Sequence, residues 1–263
     1  MGTPAKSESL SSVDRAISML EALAESGSLT ATQLARRLDT GKATAFRLAR
    51  SLVARGWVVQ DRDRSYRLGP GALTLAVHAS ATLDLRTQLL AVMHELHEAT
   101  GETIHLTKLD GRHIVYLEQL MSPQPVLSVA MLGSKSPAHC VSPGLAQLAC
   151  LPAAQLDWVL AGELERHTPA TLTDPDALRQ ELANVRQRGY AVNRGAFRPE
   201  VGGVGIAVTD DRGLPVAGLS ICMPVYRLDD KDIAALGALL QAVAAKAKQH
   251  LRDEAARPPL GPR

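Results

Sequence analysis

Val13, Ile17, Leu20 and Leu23, with Ala16 and Ala24, recur at three- and four-residue intervals, the spacing of one helix face. Gly27 marks the stop of that helix. Thr30 is suited to cap a second helix with Leu34 and Leu38 on its inner side. After Asp39-Thr40-Gly41 a third helix is predicted over 42–55, with Phe46, Leu48, Leu52 and Val53 as its apolar positions and Gly56 at its end. Phe46 is read as a core residue. Residues 57–60 and 66–68 then read as strands around the polar turn Asp61-Arg62-Asp63-Arg64. Three helices followed by a two-stranded ribbon is the order of a winged helix-turn-helix. Its second and third helices cross steeply through a short link, and the third lies in the major groove of DNA.

Beyond Gly69-Pro70-Gly71, residues 72–88 are rich in Ala and Leu and predict a linker helix. Leu73, Leu75, Ala76, Ala79 and Leu83 on it suit pairing with a second copy. From Leu89 the pattern changes. A helix over 89–99 is followed by strands over 103–109 and 112–119 around Asp110-Gly111, a hairpin signal. A third strand is predicted over 126–132. Ser142-Pro143 opens a helix to Leu151, 152–160 is a further helical piece, and Asp174-Pro175 opens a helix that Gly189 closes. Strands over 190–193, 203–209 and 215–222 precede a closing helix over 229–251. This succession predicts an antiparallel sheet flanked by helices, an α+β fold. The expected division is a polar tail over 1–9, a winged-helix domain over 10–71, the linker helix over 72–88, a sheet domain over 89–251 and a second tail over 252–263.

Composition sharpens this in two places. The chain carries a net charge of only +2, but residues 26–70 hold nine Lys or Arg against three Asp, a local +6 that leaves −4 for the remainder. Such asymmetry points to a polyanion as partner of the first domain. The three cysteines, Cys140, Cys150 and Cys222, form no CxxC pair, against both a disulfide framework and a structural zinc site. No run of about 18 apolar residues suggests a membrane span, and the polar N-terminus lacks the apolar core of a secretory signal. A cytoplasmic protein is expected.

The segments SSVDRAISMLEAL, LTATQLARRLDTGKATAFRLARSLVARGWV, YRLGPGALTLA, LGSKSPAHCVSPGLAQLACLP and RQRGYAVNRGAFRPEVGGVGIAVTDDRGLPVAGLSI, in this order and spacing, resemble the IclR family of bacterial transcription regulators. The resemblance spans residues 10–251. It implies a winged-helix DNA-binding domain joined by a helix to a GAF-like effector-binding domain, and homodimers that often pair into tetramers on DNA. A dimer presents two reading helices to a near-palindromic operator. Two positions depart from the family pattern. Gly144-Leu145 stands where many members have Gly-Lys, and Gly195-Ala196 stands where many have an acidic pair after Tyr-Ala-x-Asn.

On the DNA side, Lys42, Thr44 and Arg47 on the third helix are candidates for base edges or adjacent phosphates, and Arg50 for the backbone further along. Arg36 and Arg37 on the second helix and Arg62 and Arg64 at the wing tip are candidates for phosphate, the last two also for the minor groove. Arg36 and Arg37 read equally well as a solvated helix face.

On the effector side, candidates fall in two stretches. Leu132, Gly133, His139, Cys140 and Ser142 form the first, with the free N–H groups of the helix that Ser142 opens as a seat for a carboxylate. Asn193, Gly205, Ile206, Ser220 and Cys222 form the second, with Arg194 and Arg198 as charge partners for an acid. A structural histidine at 139 and a buried apolar cysteine at 222 are the competing readings. The resemblance implies a small organic acid as effector, an aromatic carboxylate being favoured, and a catabolic operon as target.

Catalysis finds little support. His139-Cys140 on an extended strand would point to opposite faces. Gly202-Gly203-x-Gly205 leads into a strand with no Lys-Ser/Thr after it, unlike a phosphate loop. His94 and His97 lack a third metal ligand. No cofactor and no metal are expected. The remaining alternative is a winged-helix protein that acts through protein contacts without an effector.

Overall fold

A computed structural model of the chain describes residues 11–78, 81–124, 130–229 and 231–255. The chain divides into two compact units, Met1–Leu83 and Asp84–Arg263.

In the first unit α1 (Ser11–Ser26) ends at Gly27, whose φ of +71° suits glycine. A short strand β1 (Leu29–Thr30) leads into α2 (Ala31–Arg37). Thr30 caps α2 through a capping box. Gln33 N–H donates to Thr30 Oγ1 (3.4 Å) and Thr30 N–H donates to Gln33 Oε1 (2.8 Å). Helix α3 (Lys42–Ala54) follows, then β2 (Val58–Gln60) and β3 (Ser65–Leu68), with β3 pairing antiparallel to both β1 and β2 in the order β1-β3-β2. Met19, Leu23, Leu34, Ala45, Ala49, Val58 and Tyr66 form the core. The winged-helix order stands, with two corrections of facing. Val13 and Ile17 are half exposed, and α1 buries Met19 and Leu23 instead. Phe46, expected in the core, is 44% exposed. The buried stripe of α3 runs through Ala45 and Ala49, and Phe46 lies one residue, about 100° of helix, away from it.

Helix α4 (Pro70–His78) closes this stretch, and α5 runs unbroken from Ala81 to Thr100, so the stretch expected as a separate helix over 89–99 is part of a longer one. Ala79, expected on the linker, lies outside the described residues. In the second unit β4 (Thr103–Asp110) and β5 (His113–Leu120) form the predicted hairpin. Of the strand expected over 126–132, residues 126–129 lie outside the described residues and 130–132 are not strand. A short β6 (Lys135–Pro137) pairs with β5 instead. After a 3-10 turn (Ala138–Cys140) come α6 (Ser142–Ala149), α7 (Ala153–Leu160) and α8 (Pro175–Arg188), the last capped by Asp174 and closed by Gly189 at φ +83°. Then follow β7 (Ala191–Arg194), β8 (Val201–Thr209), β9 (Pro215–Pro224), a short α9 (Val225–Asp229) and α10 (Ile233–Ala255). Helix α10 thus continues past 251, where a tail was expected.

The six strands pair antiparallel in the order β6-β5-β4-β9-β8-β7. Alternation gives the sheet two unlike faces. Ile104, Leu106, Val204, Ile206, Val208, Leu219, Ile221 and Met223 pack against α5 and α10 in one apolar core. The opposite face carries small or polar residues: Thr103, His105 and Thr107 on β4, Gly203 and Gly205 on β8, Gly218, Ser220 and Cys222 on β9. Helix α6, buried along its whole length, lies over part of this second face. Gln147 anchors it there. Its Nε2 donates to Thr107 Oγ1 (3.1 Å) and its Oε1 accepts the Leu109 N–H (2.9 Å).

Candidate functional site

In the first unit, burial of Ala45 and Ala49 turns Lys42, Ala43, Phe46, Arg47 and Arg50 outward, and residues four apart stack on one helix face. Thr44 is half-buried. The wing turn is fixed by Asp63, whose carboxylate accepts the Ser65 N–H (3.0 Å) and hydroxyl (2.7 Å). These bonds hold its carboxyl below the ordinary value. Arg62 and Arg64 on this turn are exposed, Arg64 with φ +66°. Among the described residues, Arg36, Lys42, Arg47, Arg50, Arg62 and Arg64 make no ion pair. Arg37 is paired with Glu25, and Arg67 with Asp61 at 3.1 Å. The unit therefore presents uncompensated positive charge on α2, α3 and the wing.

In the second unit the part of the sheet face not covered by α6 is the floor of a cavity of about 380 Å³. The floor is His105 of β4, Tyr116 of β5, Ser220 and Cys222 of β9, Gly202 of β8 and Asn193 of β7. Val141, Ser142 and Pro143 at the start of α6 form one wall, and Phe197 and Arg198 of the β7–β8 connection form another. Ala130, Met131, Ser134, Lys135, Ser136 and Val201 complete the lining, Lys135 being ion-paired with Asp110 (2.7 Å). Glycine makes the architecture possible at one point in particular: a Cβ on Gly205 would stand 2.5 Å from the Ser142 carbonyl carbon. Only a bare backbone lets α6 begin on top of β8.

The polar groups are held in distinct ways. Asn193 Oδ1 accepts the Ala196 N–H (2.9 Å). Thr168 and Thr171 hydroxyls donate to the Gly195 and Ala196 carbonyls, each at 2.7 Å. These bonds fix the turn that presents Phe197 and Arg198, at the place where many resembling proteins have acids. Burial pushes the Tyr116 phenol up, opposed by the hydrogen bond from Ser136 (3.4 Å), raised by Cys222 and lowered by the charge of Arg198. His105 is buried and desolvation lowers it to about 4, so it is a neutral imidazole near pH 7. Its ring meets Tyr116 edge-on with centroids 5.1 Å apart, and its Nε2 has no hydrogen-bond partner.

Of the residues singled out in the sequence, Ser142, Asn193, Ser220 and Cys222 line this cavity, as does Arg198. The others stand elsewhere. Leu132 and Gly133 form an exposed turn, and their neighbours Met131 and Ser134 reach the rim instead. His139 and Cys140 lie in a 3-10 turn rather than an extended strand. His139 Nε2 meets the Glu165 carbonyl at 3.1 Å, and burial pushes the Cys140 thiol up to about 12, far from a reactive thiolate. Ile206 belongs to the opposite sheet face, and Gly205 serves the approach of α6. Arg194 is exposed and is not part of the lining. His105, Tyr116 and Phe197 were missed. The alternation Thr103-Ile104-His105-Leu106-Thr107 carried the signal for His105, since it puts the histidine opposite the apolar core face. Among the described residues no group of three or more His, Cys, Asp or Glu is placed to hold a metal, and no helix is long and apolar enough to cross a membrane.

Comparison with known proteins gives the same two-part division. Residues 12–62 match the IclR helix-turn-helix domain, and residues 77–249 match the bacterial transcriptional regulator IclR C-terminal domain. The chain is 33% identical over 242 residues to the HTH-type transcriptional regulator BhcR of Paracoccus denitrificans, covering 90% of this chain and 85% of that protein. It is 30% identical over 241 residues to KdgR of Escherichia coli, another HTH-type regulator, covering 91% and 92%. Among solved structures, an IclR homologue from Microbacterium hydrocarbonoxydans complexed with 4-hydroxybenzoate superposes with a TM-score of 0.80. The identity is 28%, with 92% of this chain and 99% of that one covered. The chain belongs to the IclR family of bacterial transcriptional regulators, DNA-binding proteins rather than enzymes.

Proposed function

We propose that this regulator controls a catabolic operon in response to a small organic acid, with an aromatic carboxylate as the favoured class. The cavity carries this reading. Its volume of about 380 Å³ falls in the range of small-molecule sites, and it combines apolar and aromatic walls with a few convergent polar groups. The Arg198 guanidinium suits bidentate pairing with a carboxylate, and the first turn of α6 at Ser142 offers the positive end of a helix dipole. The 4-hydroxybenzoate bound by the Microbacterium homologue supports the same class.

On the DNA side, Lys42, Thr44 and Arg47 read bases or adjacent phosphates. Arg36, Arg37, Arg50, Arg62 and Arg64 hold the backbone, Arg37 after releasing Glu25. The protein acts in the cytoplasm as a homodimer, with pairing into tetramers, on a near-palindromic double-stranded operator. The high exposure of Leu73 and Leu75 on α4 supports pairing through that helix. The effector works by binding one arrangement of the protein better than another.

A thermal-shift screen of the purified protein against aromatic and aliphatic acids tests this, followed by gel shifts on DNA from beside its gene. One acid should raise the melting temperature in a saturable manner, as mass action requires, and change DNA affinity roughly five- to 150-fold. If no acid stabilises the protein, the alternative of a regulator acting through protein contacts replaces this reading. An acid that saturates the protein yet leaves DNA affinity and transcription unchanged refutes the coupling.

A further inference from the structure

We infer that His105 is a specificity-determining residue of the cavity, selecting acids that carry a neutral hydroxyl or carbonyl group at the end remote from the carboxylate. The inference rests on the acid-sensing reading above and deepens it.

Three observations carry it. First, His105 lines the cavity, and its buried Nε2 has no hydrogen-bond partner among the described residues. Buried polar groups are almost always paired, and an imidazole left without a partner in a ligand-sized space is unfinished hydrogen bonding. Second, its place in the sheet is removed from the start of α6. His105 of β4 sits directly opposite Ser220 of β9, which sits opposite Gly205 of β8. Ser142 at the start of α6 comes down on Gly205, two strand spacings from β4, about 10 Å across the sheet. A carboxylate held at the start of α6 therefore leaves the other end of the acid facing His105. Third, the surroundings are wrong for a second charge. His105 is neutral near pH 7, its neighbours there are the Tyr116 ring and Ser220, and a neutral imidazole offers one donor and one acceptor. A hydroxyl or carbonyl satisfies it. A bare ring edge or methyl group leaves it unpaired, and sites built to bond a polar group reject the analogue that lacks it.

The test uses matched pairs: 4-hydroxybenzoate against benzoate, and 4-hydroxybutanoate against butanoate, titrated by calorimetry into the full-length protein. The proteins are wild type, His105→Phe and His105→Gln. Wild type should prefer at least one hydroxylated acid over its partner by roughly ten- to a hundredfold, the scale of one buried hydrogen bond left unmade. His105→Phe should bring that ratio close to one while still binding the unsubstituted acid, and His105→Gln, which retains a donor and an acceptor, should keep part of it. Equal binding of both members by wild type overturns the inference and leaves the acid reading intact, as does an undiminished preference in His105→Phe. Failure of all four acids to bind wild type overturns the acid reading and this inference with it. If His105→Phe does not fold, the His105→Gln ratio decides: an unchanged wild-type preference counts against His105, and a reduced one supports it.

Discussion

Acidification should destabilise the second unit well above the pH at which carboxylates protonate, and His105 should be the main cause. Its folded-state value is about 4 against 6.5 in the free side chain, with burial as the reason. Between these values the unfolded chain binds a proton that the folded chain refuses. Stability therefore rises with pH across that window. The contribution is fully present above about pH 6.5 and is lost progressively as pH falls toward 4. One pH unit corresponds to about 1.4 kcal/mol per proton, so a window of roughly two and a half units amounts to about 3 kcal/mol. That is a large fraction of a typical domain stability of about 5–15 kcal/mol. Burial also lowers His139, which adds a loss of the same sign. The carboxylates held below their ordinary 3.8, Asp63 and Asp110, lose their contributions only at more acid pH, so they do not blur the window.

Urea unfolding at a series of pH values between about 7 and 4 measures the effect. The chain has two tryptophans, Trp57 in the first unit and Trp158 in the second, so fluorescence of a Trp57→Phe variant reports the second unit alone. The unfolding free energy should fall by about 3 kcal/mol across the window, and His105→Gln should remove most of the slope whatever it does to the absolute stability. A slope that is the same in both proteins would show that His105 titrates normally, and the desolvation reasoning would be wrong.

Two further outcomes follow from the same geometry. Arg47→Ala should weaken operator binding by about 1–3 kcal/mol, the scale of a base contact, and an unchanged gel-shift titration would remove Arg47 from the reading face. Gly205→Ala should lower the melting temperature, at a cost of about 1–3 kcal/mol for overpacking, because its Cβ would meet the Ser142 backbone at 2.5 Å. A melting temperature equal to wild type would show that α6 shifts freely on the sheet.

The elements were legible where one residue type has one local use. Thr30, Asp174 and Pro175, and Gly189 announced helix ends, and the structure uses each in that role. Facing was harder. Phe46 is apolar and lies at helical spacing, but the alanines beside it are small enough for α3 to pack closely on α2, and they took the core positions. The cavity was half legible for a related reason. Gly205 and Ile206 are adjacent on one strand and point to opposite faces, so a stretch of neighbouring residues mixes the lining with the core behind it. His139 drew attention as a histidine near a helix start, yet its ring is satisfied by a carbonyl. His105, embedded in an apolar strand, has a buried Nε2 left without a hydrogen-bond partner among the described residues.

The same property of the sheet explains both the seat of α6 and the cavity next to it. On the face away from α5 and α10, the strands carry glycine, serine, threonine and cysteine where the other face carries leucine, isoleucine, valine and methionine. Where glycine occupies this face, as at Gly205 and Gly218, a helix or a side chain such as Gln147 comes down onto the backbone. Where small polar residues occupy it and no helix lies above, as at Ser220 and Cys222, the missing volume remains as a cavity. A ligand there touches the sheet through His105 and Ser220 and touches α6 through Ser142, two layers joined by Gln147, by backbone contact at Gly205 and by an apolar cluster of Leu145, Ala146 and Leu148 with Ile114, Tyr116 and Ala191. A molecule that contacts both layers has a different interaction energy whenever α6 moves on the sheet, and such a difference is what any ligand needs to shift a protein between two arrangements. Filling the cavity from below with Ser220→Leu should therefore both block acid binding and fix DNA affinity at one value, insensitive to added acid. A Ser220→Leu variant whose DNA affinity still responds to added acid would place the sensing site elsewhere.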